Sequence, residues 1–101
     1  MKQVILSADG DDRKYVVPDI VADNLEEYCL KFIKWLINSS KASSYRKKFK
    51  RSVHLCYDES DFIDWLNKYV FPKDPDNYSK YVKNIGFNGG KDYPDLPWFN
   101  F

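Results

Sequence analysis

His54 is the only histidine in the chain, so any reaction that needs an imidazole base has to run through it. Val53 and Leu55 flank it in an alternating run that places it mid-strand, the setting of a structural or surface histidine. Serines and aspartates are plentiful, yet no G-x-S-x-G elbow singles out a nucleophile. Gly86-Phe87-Asn88-Gly89-Gly90-Lys91 has the glycines and lysine of a phosphate loop, but neither its G-x-x-x-x-G-K-[ST] spacing nor the helix that should follow. Asp9-Gly10-Asp11 lacks the ligand ladder, ending in Glu, of a calcium loop. Cys29 and Cys56 stand outside any C-x-x-C pair and read as reduced core thiols, because one histidine does not complete a zinc site around them. The expectation is a protein that is not an enzyme, with no catalytic residue, no metal and no cofactor.

What remains is charge, and it is sorted along the chain. Residues 28–57 hold eight Lys or Arg and no acid, while the residues on either side are net acidic, so the formal total is only +1. Lys31 and Lys34 fall late in a helix whose dipole favours them. The unexplained part is the segment 41–51, where Lys41, Arg46, Lys47, Lys48, Lys50 and Arg51 interleave with Tyr45 and Phe49. Cations with aromatic neighbours neutralise phosphates and stack on bases, so Lys41, Tyr45, Arg46, Lys47, Lys48, Lys50 and Arg51 are the candidate partner-binding residues. The bland alternative is a solvated loop that balances the acidic blocks. No RNP-like run, zinc-finger spacing or G-x-x-G clamp accompanies them.

These residues need elements to hold them. The 101 residues match the size of one domain, and 18% aromatic content supplies a core despite 31% charged residues. Two apolar runs, residues 2–8 and 13–17, flank Asp9-Gly10-Asp11-Asp12 and predict an opening hairpin. Pro18 ends it, and Asp19 offers a carboxylate to a helix start. Over residues 20–38, Val21, Leu25, Tyr28, Phe32 and Leu36 recur at helical spacing, and Leu30 and Ile37 fall on the opposite side. Those two form a candidate second interface, through which homodimerisation is one alternative. The Ser-rich stretch after Asn38 ends the helix, with a further helical turn expected through residues 45–49. Residues 52–57 alternate as a third strand. Asp58-Glu59-Ser60-Asp61 starts a second helix with Phe62, Ile63, Trp65, Leu66, Tyr69 and Val70 on one stripe. A short helix is expected over 77–83 and a loop over 86–90.

The prolines keep residues 92–101 from being helical, and their aromatics predict an extended segment packed on the body. There Trp98 and Phe99 either seal the core or present a docking motif. The whole reads as one α+β domain over 1–101: a small antiparallel sheet of about three strands, with an N-terminal hairpin, packed against two amphipathic helices. No apolar run approaches membrane-helix length, and residues 4–6 are too short for a signal peptide, so the expected location is cytoplasmic, with no membrane partner.

The runs Val17-Pro18-Asp19-Ile20-Val21-Ala22-Asp23-Asn24-Leu25, Asp61-Phe62-Ile63-Asp64-Trp65-Leu66-Asn67-Lys68 and Pro97-Trp98-Phe99-Asn100-Phe101 resemble those of small uncharacterised proteins on mobile elements of low-GC Gram-positive bacteria. The resemblance carries no residue role. It implies a setting, a bacterial host cell, because such phage and mobile elements often encode small inhibitors of host defence, including anti-CRISPR proteins. The expectation is a non-catalytic binding protein that inhibits a host protein or ribonucleoprotein, a Cas effector being the instance implied, by surface occlusion. The alternative is a small nucleic-acid-binding accessory or regulatory protein using the basic segment 41–51.

Overall fold

Gly10 sits at φ 101°, a conformation L side chains rarely adopt, and the Asp11 N–H donates to Asp9 Oδ1 at 3.3 Å. This turn closes an antiparallel hairpin of β1 (Lys2–Ser7) and β2 (Asp11–Val17). Strand alternation sends Val4, Leu6, Tyr15 and Val17 to one face, inside the core, and Ile5 and Lys14 to the other. The computed structural model describes residues 1–72 and 74–101, together with every side chain among them except those of Phe49 and Pro75.

The single helix expected over 20–38 is two: α1 (Asp19–Asp23) and α2 (Leu25–Asn38). Asn24, at φ −133° and ψ 41°, breaks the ladder, and its side-chain amide donates to Ile20 O at 2.9 Å. Short polar side chains compete in this way with main-chain hydrogen bonds. The second expected helix is α3 (Glu59–Trp65), opened by a capping box. Asp58 accepts from the Ser60 and Asp61 N–H groups, and Asp61 accepts from the Asp58 N–H. A π-helical turn, Leu66–Val70, extends it.

The sheet is larger than about three strands and is not purely antiparallel. It has four strands in the order β5-β2-β1-β6, with β5 spanning Lys80–Phe87 and β6 Trp98–Asn100. In place of the short helix over 77–83, only Pro75–Asn77 make a 3-10 turn, and β5 pairs antiparallel with β2, Tyr81 opposite Tyr15 and Phe87 opposite Asp11, with register shifts that skip Val82 and Ile85. The aromatic C-terminal run satisfies its backbone by lying parallel to β1: the Ile5 N–H donates to Pro97 O at 2.9 Å and the Phe101 N–H to Ser7 O at 2.8 Å.

Residues 52–57 do not supply a third strand to this sheet. Instead β3 (Arg46–Phe49) and β4 (Ser52–Leu55) form a separate two-stranded hairpin, and the helical turn expected through 45–49 lies earlier, as a 3-10 helix at Ser40–Tyr45. Lys and Arg are good helix formers, so local propensity misleads here; pairing between two short strands overrides it.

The core lies between the sheet and the helices. Phe32 of α2 is fully buried at its centre, with ring contacts to Trp35, Tyr57, Phe62, Trp65 and Phe101 at centroid distances of 5.6–6.2 Å. On the sheet's outer face a 3-10 turn, Gly89–Asp92, packs against β2 and β5, with Gly90 beside Ile5 of β1. A Cβ at Gly90 would come within 2.9 Å of Asp12 Oδ2 and 3.5 Å of Ile5, so glycine permits the close approach.

Candidate functional site

The basic segment divides into a structural part and a displayed part. At its start, Ser39 Oγ accepts from the Lys41 N–H at 3.2 Å, and the exposed Lys41 ammonium lies 5.5 Å from the Tyr69 ring centroid. Tyr45 is half-buried against Trp35, with ring centroids 6.0 Å apart. Burial pushes its hydroxyl pKa up, and the nearby Asp61 and Asp64 charges add to this. Arg46 turns back onto the end of α2: Nη1 donates to Leu36 O at 2.9 Å, Ile37 O at 3.4 Å and Ser39 O at 2.7 Å. A guanidinium there satisfies carbonyls that the helix leaves unpaired and complements the negative end of its dipole. Lys41, Tyr45 and Arg46 thus belong to the hairpin's base.

The hairpin beyond that base is different. Lys47 pairs with His54 and Lys48 with Val53, and a two-residue turn of Lys50 and Arg51 joins the strands. Neighbours along a strand face opposite ways, yet Lys47, Lys48, Val53 and His54 are all exposed, so this ribbon is covered on neither face. Lys50 has φ 55° and, like Arg51, is exposed. The side chain of Phe49, the second aromatic interleaved with these cations, lies outside the described residues. The structure therefore groups Lys47, Lys48, Lys50 and Arg51 at one tip.

His54 Nε2 lies 3.3 Å from Ser52 Oγ, the spacing of a nucleophile and a base. Both are exposed, and no carboxylate among the described residues hydrogen-bonds to the ring to orient it. Cys29 and Cys56 are both free. Cys29 is buried, and burial raises its thiol pKa, but Cys56 is exposed, which corrects the expectation that both are core thiols. Among the described residues no group of three His, Cys, Asp or Glu is placed to hold a metal ion.

Leu30 and Ile37 are 52% and 55% exposed on α2, so the second apolar side of that helix is uncovered within the chain. Trp98 and Phe99 differ in packing at the C-terminus, although both border one cavity. Phe99 packs on Phe101 at 4.8 Å, on the core side, whereas Trp98 is 72% exposed and borders a cavity of about 460 Å³ on the sheet's outer face. Alternation in β6 separates them; once that segment is read as a strand, adjacent residues are obliged to face opposite ways. The cavity joins β1, β6 and the loop after β5, and its composition from distant residues hides it from sequence reading.

One ionic cluster, exposed at Asp9 and buried at Glu59, is structural. Arg13 Nη1 bridges Asp9 Oδ1 and Glu59 Oε1, both at 2.9 Å, tying the β1–β2 turn to α3. The Asp9 hydrogen bond, with the Glu59 charge, raises the Arg13 pKa, while burial foremost raises that of Tyr15, whose hydroxyl donates to Glu59 at 3.4 Å. No described helix is long and apolar enough to cross a membrane. The chain matches no protein-family model, no curated protein and no solved structure.

Proposed function

We propose that this chain is a non-catalytic binding protein that docks its β3–β4 hairpin on a nucleic-acid-bearing surface of a host complex and inhibits that complex by occlusion. The observation that carries the reading is the tip itself: Lys47, Lys48, Lys50 and Arg51 on a ribbon uncovered on both faces, within a block, residues 28–57, that contains no acid. Such cations neutralise phosphates and release counterions, which needs no catalytic group. A CRISPR ribonucleoprotein effector is the complex that the resemblance in sequence implies. A second reading, an accessory protein that binds free duplex, is favoured by the hairpin's form, because a two-stranded ribbon fits the major groove.

A salt titration of binding, read by fluorescence anisotropy, tests the surface. Four phosphate contacts imply a slope of log affinity against log salt of about −3.6, a loss of roughly 100-fold between 50 and 200 mM. Replacing Lys47, Lys48 and Arg51 with Ala, and leaving Lys50 at its left-handed turn position, is expected to reduce the slope to about −0.9 with the fold unchanged. Tight binding to a purified effector ribonucleoprotein with weak binding to free duplex supports the inhibitor, and the opposite order supports the accessory protein. Salt-independent binding, or none to either, refutes both.

A further inference from the structure

The cavity on the sheet's outer face has a chemistry unlike the hairpin's. Ile5 and the rings of Trp98 and Tyr93 line it, and the Lys14 ammonium, 3.6 Å from the Tyr93 centroid, fixes that ring from the sheet side. Trp98 is held by the pairing of β6 with β1, opposite Ile5, and still leaves most of its indole open. Two polar side chains converge on the same space. Asn100 Oδ1 accepts from Ser7 Oγ at 3.0 Å, which leaves its amide N–H groups as donors. Asp12 Oδ2 accepts from the Gly90 N–H at 2.8 Å, which leaves the other carboxylate oxygen as an acceptor.

The lining carries one cation, Lys91, and one anion, Asp12, and the Lys14 ammonium lies against the Tyr93 ring, so no cluster of lining cations marks the cavity for a phosphate. Its volume, about 460 Å³, lies within the range of small-molecule sites. A planar, neutral ring that offers both donor and acceptor edges satisfies every one of these features: a face for Trp98, an edge for the Asn100 amide and the Asp12 carboxylate, and no charge to desolvate. We infer that this cavity receives an unpaired nucleobase stacked on Trp98. The inference rests on the reading that the target carries nucleic acid, and it narrows that target to strands with an accessible single-stranded base. The cavity, on the sheet face away from α2, supplies a base contact that a continuous duplex withholds, separate from any phosphate contact at the hairpin.

Trp98 reports on its own site, because Trp65 is buried, Trp35 is half-buried and Trp98 is the most exposed of the three tryptophans. Emission is followed while adenosine, uridine and a single-stranded 12-mer are added separately. The wild type and the Lys47→Ala, Lys48→Ala, Arg51→Ala triple variant are both titrated. Saturable quenching by the nucleosides in both proteins is expected. For the labelled 12-mer, Trp98→Ala should lose about 5- to 150-fold in affinity while Trp98→Phe, which keeps a stacking face, retains most of it. A 12-mer that binds through the hairpin with no change in emission, and equally well to Trp98→Ala, overturns the cavity and leaves the hairpin reading intact. Nucleoside quenching without any strand binding supports the cavity and refutes the hairpin. Neither quenching nor binding refutes both.

Discussion

Arg46→Gln is the substitution that most sharply separates structure from binding in the basic segment. Gln keeps much of the side-chain stem and removes the guanidinium, whose Nη1 donates to Leu36 O, Ile37 O and Ser39 O at 2.7–3.4 Å. A hydrogen bond to a charged group contributes about 1.5–3 kcal/mol, and favourable placement at a helix C-terminus adds about 0.3–1 kcal/mol. The three acceptors share one nitrogen and lie only partly out of water, so the contributions do not add in full; a loss of about 2–3 kcal/mol is expected. For a domain of this size that lowers Tm by about 15 °C. Lys48→Gln removes the same unit of charge from the exposed ribbon and should change stability by no more than about 0.5 kcal/mol. Urea denaturation of both variants beside the wild type gives the comparison directly. If the two midpoints shift equally, the assignment of Arg46 to the end of α2 is wrong, and it belongs with the displayed cations after all.

Three further outcomes follow from the packing. Asn67 in the π-helical turn pairs with the main chain of Ser79 in both directions, accepting from its N–H at 2.8 Å and donating to its carbonyl at 3.0 Å. Asn67→Ala should therefore cost about 2 kcal/mol and speed hydrogen exchange at Ser79 and the start of β5, leaving β1 protected. Phe32→Ala opens a cavity among five rings and should cost about 4 kcal/mol by denaturant titration, without altering m if the native state stays compact. Burial raises the folded pKa of the Cys29 thiol and the Tyr15 hydroxyl above their unfolded values, so their protonated forms stabilise the fold at neutral pH. That contribution is fully present below about pH 9 and is lost on going alkaline, at about 1.4 kcal/mol per pH unit from Cys29 and about twice that above pH 10, where Tyr15 joins. Cys29→Ala should abolish the first part of that slope, and an unchanged slope refutes the assignment.

The parts of this molecule that were legible in sequence are those specified by contiguous residues. Asp9-Gly10 marked the first turn, Val21 to Leu36 the long apolar stripe, and Asp58 with Asp61 the start of α3, because turn chemistry, helical periodicity and capping act over a few neighbours. The positions of β5 and β6 were not legible. Their hydrogen-bond partners, β2 and β1, lie far away in the chain, and Asn84 and Gly86 interrupt the pattern that would have marked β5 as a strand. The helix break at Asn24 was missed for a related reason: an apolar stripe runs across it unbroken, and only the backbone geometry shows the ladder cut.

The same division runs through the candidate site. The sequence by itself determined that cations cluster between Lys41 and Arg51 and that no acid interrupts them, because charge is a property of composition. Only the tertiary structure decided which of them are displayed. Arg46 is taken up by the end of α2, and Tyr45 packs on Trp35, while the pairing of β3 with β4 lifts Lys47, Lys48, Lys50 and Arg51 onto a ribbon of their own. The Trp98 cavity belongs wholly to the fold. Its walls come from both ends of the chain and meet because a parallel strand pairs residue 98 with residue 5. Long-range pairing has no local cost or preference that composition could express; it is decided when the whole core closes.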